Sequence, residues 1–462
     1  MLALGCGSRD YSHMHTPQEV LDAYLGPKPP PRIIGTETEY TVPEAMSLEY
    51  TARLVKEGLD PFGGYFYSNG AKIYPDLGKH IEYASAEAAG PLDATASDWA
   101  GVNIMQSIQR DKDRAPVARR SATIDPMYGE THTKGRHENF MIIDPMNGYD
   151  AGRMFRGVMS AFLVSRGVIT GAGFATGGSF LTTQKAVGIG QDVVLGYGDR
   201  RTTEGSKPLG GISTQSDRRF GRFTVLETRH ADPHMLPYAD FITLAITSLA
   251  LRTIEHGLIH PGNAENYTLA DSIKALEVVD NPARLNNDEL VLDNGESISA
   301  VGLQLRFARA ALALMHQDGM RLPRDERYAI HEWLSLCGEL GKIKELNRLS
   351  LRVLLGKIEW ASKLMLMERI EDPEKAIEFD LQWSSLDEGS LGAKVVQRRL
   401  VHPTSAVQKR AAHYEMCPPQ TRAQKRTRLQ SLPQHRTKSA NWNSITLGEK
   451  HKISLKNPYE SS

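Results

Sequence analysis

Asn69-Gly-Ala-Lys-Ile-Tyr-Pro-Asp-Leu-Gly-Lys-His-Ile-Glu-Tyr83 and the acidic segment Gly35-Thr-Glu-Thr-Glu-Tyr40 upstream of it carry the most information about the fold. On a β-strand, Glu37 and Glu39 point to one face and their neighbours to the other. Two adjacent carboxylates repel each other unless a cation lies between them, and their oxygen atoms suit Mg²⁺. The usual third component of such a site is a metal-bound nucleotide phosphate.

The downstream stretch predicts a second short strand, over Ile73 to Asp76. Its alternation places Tyr74 and Asp76 on one face, and Glu82 adds another acid nearby. Because Pro75 has no N–H group, this strand is expected at a sheet edge or at a bulge. On spacing alone, the alternative is that these acids only keep an exposed strand soluble.

Length and composition indicate a globular enzyme. The chain has 462 residues, which suits one large domain plus a smaller appendage. Its 55 basic and 55 acidic residues cancel, which argues against a general nucleic-acid binder. The cysteines Cys6, Cys337 and Cys417 form no CxxC pattern, so a reducing, cytoplasmic setting is expected. No apolar run approaches the roughly 20 residues of a membrane span.

Changes in composition divide the chain into three segments. Residues 1–31 are expected to form an N-terminal extension that ends in a proline-rich linker, residues 32–388 a catalytic domain, and residues 389–462 a small basic C-terminal domain. Basic residues outnumber acidic ones between residues 396 and 438. This excess indicates either a surface for an acidic partner or an ordinary solvated helix face.

Periodicity predicts the main elements. A helix is expected over Thr16 to Tyr24, with Thr16 as N-cap and Pro17 at the first helical position. Short β-type runs between glycine-rich turns predict a sheet up to about residue 230, and helical spacing predicts helices after it. The expected strands include Phe140–Ile143, Val193–Tyr197 and Phe223–Arg229, and the expected helices include 236–256, Leu303–Met315, Arg324–Leu340 and Leu349–Met367.

Two further strands carry polar side chains on one face. His137 and Asn139 would share a face, near a phosphate or a metal if their strand lies beside the acidic ones. Glu227 and Arg229 likewise share a face, where a carboxylate can hold a metal and an arginine can clamp a phosphoryl oxygen. Arg166 is another candidate anion clamp. The alternatives are a structural histidine and ordinary cross-strand ion pairing.

The glycine-rich segments do not form a nucleotide-binding loop. Gly171-Ala-Gly173, Gly177-Gly178-Ser179 and Gly210-Gly211 lack the GxxxxGK[ST] order, and no GxGxxG opens a helix. A bound nucleotide would therefore have to be held by a sheet and its metals.

Several blocks of the sequence together point to one family. The blocks are Ile33 to Tyr40, Ser68 to Asp76, His80 to Tyr83, Gly135 to Phe140, Phe162 to Gly171, Pro418 to Arg422 and Ala440 to Ile445. In order and spacing they resemble the Pup ligase and Pup deamidase/depupylase family (PafA/Dop), part of the carboxylate-amine ligase superfamily. The resemblance extends from about residue 32 to 446 and identifies the chain as a divergent member.

The resemblance implies an α+β, glutamine-synthetase-like fold. In it a curved, largely antiparallel sheet packed by helices cradles ATP and Mg²⁺, with a small C-terminal domain. The implied metal ligands are Glu37, Tyr74 and Glu82, and the implied ATP contacts are Lys72, Ser85 and Trp442. Lys72 replaces an arginine of the family, which keeps the charge but loses the bidentate fork.

Asp76 falls on the family's catalytic aspartate. In a ligase it would deprotonate a substrate lysine, and in a depupylase it would support attack on an amide or isopeptide carbonyl. Both reactions need an ionised carboxylate, and neighbouring Mg²⁺ should keep Asp76 charged.

Two departures from the family affect the same side of the expected site. Gln215 lies in a segment where the family carries an arginine, and Glu227 stands where the family carries a histidine. Our hypothesis is that Glu227 takes over metal ligation and that Arg229 supplies the missing positive charge beside the cofactor. The substrate then need not be Pup itself.

The sequence contains opposing indications of whether the enzyme cleaves or forms the bond to the tag. Thr36 to Glu39, Pro91 to Ala94 and Val164 to Gly171 resemble the depupylase branch, whereas the short connection from Thr41 to Tyr67 is ligase-like. Because loops change more readily than site residues, the motifs favour an ATP- and Mg²⁺-dependent deamidase or depupylase that acts on the C-terminal Gln or Glu of a Pup-like protein tag.

The alternatives are a Pup-protein ligase that works through a γ-glutamyl phosphate, a non-catalytic nucleotide-binding protein that recognises the tag, and a small-molecule ligase. The expected partners are the tag and tagged proteins, with a link to a proteasome pathway. Neither nucleic acid nor a membrane is expected as a partner.

Overall fold

A computed structural model provides the architecture of the chain. It describes residues 14, 16–41, 65–75, 81–110, 117–119, 122–124, 131–133, 135–144, 149–176, 179–184, 212–387, 389–398, 404–431, 437–447 and 451–461. The strands are β1 Ile33–Tyr40, β2 Tyr65–Phe66, β3 Lys72–Pro75, β4 Ile81–Ala84, β5 Ala88–Ala89, β6 Ala122–Ile124, β7 Thr131–Thr133, β8 Arg136–Ile143, β9 Phe174–Ala175, β10 Phe180–Leu181, β11 Ile212–Phe220, β12 Phe223–Ala231, β13 Leu290–Val291, β14 Ser297–Ile298, β15 Thr437–Asn441, β16 Ser444–Leu447 and β17 His451–Ser454.

The helices are α1 Pro17–Leu25, α2 Pro91–Arg110, α3 Tyr149–Ser165, α4 Gly167–Thr170, α5 Pro237–Glu255, α6 Ser272–Val279, α7 Ala300–Met315, α8 Arg324–Leu340, α9 Arg348–Leu351, α10 Glu359–Met367, α11 Pro373–Ser384, α12 Leu391–Arg398, α13 Thr404–Tyr414 and α14 Arg422–Gln430. Short 3₁₀ turns cover Ala264–Asn266, Pro282–Arg284 and Arg352–Leu354.

One antiparallel sheet organises the molecule. Its strands follow the order β11-β12-β8-β1-β4-β3-β2, and β5 also pairs with β1. Glu37 on β1 lies opposite His137 on β8, while Glu39 lies opposite Glu82 on β4, which in turn lies opposite Tyr74 on β3. Directly opposite residues of an antiparallel pair point to the same face. The register therefore gathers these polar side chains on one face of the sheet.

The other face of the sheet belongs to the core. Tyr40, Tyr83, Phe140 and Leu226 are buried there, and α2 and α5 cover this face. Residues 237 to 253 of α5 are buried, because this helix is enclosed by α2, α7, α8 and the sheet. The alternation predicted for β1 is confirmed: its even-numbered residues are buried, whereas Glu37 and Glu39 are partly exposed.

A network of buried charges lies under β1 and β8. Arg119 pairs with Asp98 and with Asp240 (2.7 Å from Arg119 Nη1 to Asp240 Oδ2), and Arg136 also pairs with Asp240. Thr38 Oγ1 donates to Asp98 Oδ1 at 2.8 Å, which ties β1 to α2. Burial alone would lower the pKa of Arg119, but the carboxylates of Asp240 and Asp98 raise it above its usual value. The network thus keeps its charges while it fixes the back of the sheet.

The N-terminal helix is confirmed and is packed against the sheet. Helix α1 begins after Thr16, whose side chain caps it together with Glu19 in a capping box. Tyr24 packs edge-to-face on Phe223 of β12, with 5.4 Å between the ring centroids. The N-terminal segment thus shares an apolar cluster with the sheet. The divisions of the chain at residues 32 and 388 stay predictions.

The strand predictions are largely confirmed. Phe140–Ile143 and Phe223–Arg229 lie within the longer strands β8 and β12, whereas Val193–Tyr197 lies outside the described residues. Among the described residues β2 covers only the first half of β3, so Pro75 pairs with β4 alone, opposite Ile81. This position agrees with the edge predicted from the missing N–H group.

Three of the predicted helices are confirmed as α5, α7 and α8. The prediction of one helix over Leu349–Met367 is wrong. The chain forms α9 and a 3₁₀ turn, breaks, and starts α10 at Glu359. Gly356 lies in the break with φ of +80°, a left-handed conformation that a helix cannot contain. Among the described residues, no helix combines the length and apolar character needed to cross a bilayer.

Candidate functional site

An acidic cluster occupies the open face of the sheet where β4, β1 and β8 run side by side. Glu37, Glu82 and His137 each offer a ligand atom within 4.8 Å of the others. His137 Nδ1 lies 3.2 Å from Glu37 Oε2, and His137 Nε2 lies 3.8 Å from Glu39 Oε1. The three carboxylates are hard oxygen donors of the kind Mg²⁺ prefers, whereas imidazole suits transition metals better. The cluster therefore fits Mg²⁺ through its oxygens, with His137 holding Glu37 in place.

Tyr74 joins this cluster through Glu82. Its hydroxyl donates to Glu82 Oε1 at 2.7 Å, because the two residues face each other on β3 and β4. The structure thus brings together Glu37, Tyr74 and Glu82, the residues that the resemblance implied as metal ligands. Asp76, the implied catalytic aspartate, lies outside the described residues, directly after β3.

Glu227 and Arg229 reach the same face from β12 and bind each other. Arg229 Nε donates to Glu227 Oε1 at 2.7 Å, and Arg229 Nη2 lies 2.6 Å from the same oxygen in an ion pair. His137 Nδ1 lies 3.7 Å from the same oxygen, so this pair borders the acidic cluster. The side chain of Gln215 lies outside the described residues. Ligation by Glu227 and cofactor contact by Arg229 stay predictions, and both roles now depend on one ion pair.

A cleft extends from the acidic cluster along β1. It encloses about 620 Å³ together with its open mouth. The sheet forms its floor, and Arg422, Trp442, Lys456 and Pro458 contribute its wall. The described residues between 421 and 460 are here called the C-terminal segment. The apolar lining residues are Ile33, Met141, Phe220, Phe223, Val225, Trp442 and Pro458, and the other lining residues include Gly35, Glu37, Ser85, Glu87, Asn139 and Arg422.

Strand β1 orders this lining from one end to the other. Ile33, Gly35 and Glu37 follow one another at every second position of the strand and all line the cleft. Because a strand rises about 3.3 Å per residue, the apolar end at Ile33 and the acid at Glu37 are about 13 Å apart. Ser85, predicted to contact ATP, also lines this cleft, and its Oγ accepts from Thr36 N at 2.9 Å.

Two arginines attach the C-terminal segment to the sheet domain through Glu87. Arg422 Nε donates to Glu87 Oε1 at 2.6 Å, and Arg426 donates to both carboxylate oxygens at 2.9 Å. Burial alone would raise the pKa of Glu87, but Arg426 and Arg422 lower it to about 2. The sequence suggested that the basic C-terminal region is either a surface for an acidic partner or a solvated helix face. Neither interpretation holds for these two arginines, because they are buried and their acidic partner belongs to the same chain.

Lys72 and Trp442, both predicted near ATP, meet beside this ion pair. Lys72 Nζ lies 4.5 Å from the centroid of the Phe66 ring and 5.8 Å from that of Trp442. The two rings pack edge-to-face at 5.1 Å, and Arg426 lies over both of them. These contacts place a positive charge next to an aromatic wall.

One sequence-based candidate lies elsewhere. The prediction of Arg166 as an anion clamp is wrong, because its guanidinium is buried under the sheet, bound to Glu138 Oε2 at 2.8 Å and to Thr247 Oγ1 at 2.5 Å. Conversely, sequence reasoning missed Glu87. The available signal was its isolation as the one charged residue in the small-residue run from Ala84 to Ala89.

Comparisons with known proteins point to one family. The family model described as Pup-ligase protein matches residues 43–446. A curated Pup-protein ligase of Bifidobacterium longum (strain NCC 2705) is 27% identical, covering 93% of this chain and 92% of that protein. One of Acidimicrobium ferrooxidans is 26% identical over 73% of each chain.

Two solved structures share the fold. The complex of the prokaryotic ubiquitin-like protein Pup with its ligase PafA has a TM-score of 0.75 at 19% identity, covering 96% of this chain and 91% of that one. The ligase PafA in complex with ADP has a TM-score of 0.69 at 19% identity, with coverages of 91% and 92%. The expected α+β fold of the carboxylate-amine ligases is thereby confirmed.

Proposed function

The chain belongs to the Pup-ligase protein family, and from this premise we propose that it is an ATP- and Mg²⁺-dependent Pup-protein ligase. It would join the C-terminal glutamate of a Pup-like tag to a lysine of an acceptor protein. The curated relatives described above are ligases, and the short connection from Thr41 to Tyr67 points the same way. These findings favour the ligase alternative over the hydrolase that the sequence motifs suggested.

The observation that carries this proposal is the continuity between the cleft and the acidic cluster. Glu37 belongs to both, so a ligand that fills the cleft from Ile33 onward ends at the cluster. The distance of about 13 Å along β1 suits a base at the apolar end and phosphates at the acidic end. Since carboxylates alone would repel phosphates, a cation is needed between them, and Glu37 and Glu82 would hold it.

Different residues of the cleft would bind the base and the phosphates of ATP. Met141, Phe223, Val225 and Trp442 would enclose the base in apolar surroundings. Lys72 would place its ammonium group near the phosphates, two strands from Glu37 in the same row of the sheet. Bound Mg²⁺ would supply charge neutralisation of the phosphates.

Asp76, which follows β3 in the sequence, would act as the base for the acceptor amine. The tag carboxylate would attack the γ-phosphorus of ATP with departure of ADP, which gives a γ-glutamyl phosphate. The amine would then attack the acyl carbon, phosphate would leave, and the proton of the amine would pass to Asp76.

The test is incubation with ATP, Mg²⁺ and a purified Pup ending in glutamate, with and without an acceptor protein, and in parallel with a Pup ending in glutamine and with a preformed Pup conjugate, all read by mass spectrometry and ADP release. We expect a covalent adduct on an acceptor lysine and one ADP per adduct. Asp76→Asn should bind ATP but form no adduct. Conversion of a C-terminal Gln to Glu, or tag release from a conjugate without adduct formation, would reject the ligase in favour of the deamidase or depupylase.

A further inference from the structure

A glycine lies in the middle of the strand that forms the cleft floor. Gly35 occupies an extended position of β1, where any L-residue fits the backbone and where glycine weakens a strand. A Cβ atom added there would meet only Asn139 Cβ, at 4.0 Å. The protein itself therefore has room for a side chain at residue 35, and that room is part of the cleft.

The residue directly opposite Gly35 has an unused acceptor. Asn139 faces Gly35 on β8 and is only 9% exposed. Its Nδ2 donates to Glu37 Oε1 at 3.2 Å, which fixes the orientation of the amide because a carboxylate can only accept. Asn139 Oδ1 has no hydrogen-bond partner within the part of the chain that the structure describes. Because buried acceptors are nearly always satisfied, this oxygen indicates a ligand that donates a hydrogen bond.

The position of Asn139 in the cleft limits the chemistry of that ligand. The residue lies opposite Gly35, between Ile33 and Met141 at the apolar end of the cleft and Glu37 at its acidic end. On the basis of the proposed function, the base occupies the first end and the phosphates the second. Phosphate oxygens cannot donate at neutral pH, whereas the hydroxyls of the sugar between base and phosphates can.

We propose that Gly35 and Asn139 form the sugar subsite of the cleft. The ribose ring lies against the backbone of Gly35, in the space that a side chain would fill, and one ribose hydroxyl donates to Asn139 Oδ1. The enzyme thereby distinguishes ribonucleotides from deoxyribonucleotides, because the analogue without that hydroxyl leaves a buried acceptor unpaired.

The hydrogen bond is tested by measuring the binding of ATP, 2′-deoxy-ATP and 3′-deoxy-ATP by calorimetry with Mg²⁺ present. We expect the wild type to prefer ATP over one of the two deoxy analogues by about tenfold. Asn139→Ala should abolish this preference. Asn139→Asp should retain it, because its carboxylate also accepts, although repulsion of Glu37 should weaken the binding of all three nucleotides.

Three results of this experiment would each be decisive. Equal affinity of the wild type for all three nucleotides overturns the subsite while the proposed function stands. An unchanged preference in Asn139→Ala overturns the role of that oxygen. A wild type that binds no ATP overturns the proposed function itself and the subsite with it.

The space above Gly35 is tested by substitution. Gly35→Ala and Gly35→Val should fold with a melting temperature no lower than that of the wild type, because the protein has room for both side chains. Their affinity for ATP should fall by about tenfold for Ala and further for Val. Gly338→Ala is the control, since Gly338 lies on α8 away from the cleft lining and its added Cβ meets nothing within 4 Å. ATP binding by Gly35→Val at the wild-type affinity would contradict the proposal.

Discussion

Tyr74 illustrates how a single hydroxyl can support the acidic cluster. It donates to Glu82, so Tyr74→Phe removes a hydrogen bond and keeps the aromatic ring. Such supporting bonds typically affect metal affinity about 10- to 100-fold. We therefore expect Tyr74→Phe to raise the Mg²⁺ concentration at half-maximal ATP binding at least about tenfold.

The matched control for this change is Tyr238→Phe, which removes another tyrosine-glutamate hydrogen bond, to Glu332, away from the cluster. It should leave the Mg²⁺ titration unchanged. An identical titration for Tyr74→Phe and the wild type would show that Glu82 needs no support from this hydroxyl.

Substitutions of Glu227 and of Arg229 should change the Mg²⁺ requirement of ATP binding in opposite directions. Arg229 competes with a metal for Glu227, because it binds the same carboxylate through two nitrogens. If Glu227 ligates Mg²⁺, Arg229→Gln should lower the Mg²⁺ concentration needed for ATP binding, and Glu227→Gln should raise it, each by about tenfold. A Mg²⁺ titration of ATP binding checks both variants, and shifts in the same direction would remove Glu227 from the metal site.

Some site residues could be predicted from the sequence and others could not. Strand alternation alone placed Glu37 with Glu39, His137 with Asn139 and Glu227 with Arg229 on shared faces. It could not order the strands, so the meeting of β1 with β4 and β8 had to come from the structure. The pairing of Glu87 with Arg422 spans 335 residues, beyond the reach of any local pattern.

At the scale of elements, hydrophobic spacing predicts helices well and their interruptions poorly. The apolar positions continue across Leu349 to Met367, yet the chain breaks between α9 and α10, and Leu349 is 78% exposed. Gly356 was the signal, since a glycine inside a helical pattern is either tolerated or marks an end. The pattern could not separate these two cases.

The break at Gly356 can be tested directly. Its φ of +80° disfavours any side chain, so Gly356→Ala should destabilise the protein by about 1 to 2 kcal/mol. Gly338→Ala, inside α8, should instead raise stability, because alanine is the better helix former. Urea unfolding followed by circular dichroism measures both. Equal or greater stability of Gly356→Ala would show that residue 356 does not need the left-handed conformation.

At the scale of the whole molecule, the buried carboxylate of Glu87 helps to hold the C-terminal segment against the sheet domain, together with hydrogen bonds such as the one from Gln430 Nε2 to Phe66 O. Arg422 and Arg426 of α14 bind Glu87, and Arg422 and Trp442 line the cleft opposite β1. The wall of the cleft thus exists only while this segment is attached. Attachment and nucleotide binding should consequently rise and fall together.

This coupling predicts a pH dependence with a defined sign. The pKa of Glu87 is lowered from 4.5 to about 2 in the folded protein, so the ion pair contributes its full stability above pH 4.5. That contribution falls as the pH drops from 4.5 toward 2. In this range Glu87 is ionised while the C-terminal segment is attached and becomes protonated when the segment detaches, so a lower pH favours detachment. Hydrogen exchange of residues 421–460, measured across this range, should show progressive loss of protection.

Glu87→Gln separates this ion pair from general acid effects. The substitution leaves two buried guanidinium groups without their counter-ion, which costs about 3 to 5 kcal/mol, so protection of the C-terminal segment and ATP affinity should both be low already at neutral pH. Glu289→Gln is the control, because Glu289 pairs with Arg284 at a far more exposed site. Wild-type protection in Glu87→Gln would mean that other contacts hold the wall of the cleft in place, and nucleotide binding would then be independent of this carboxylate.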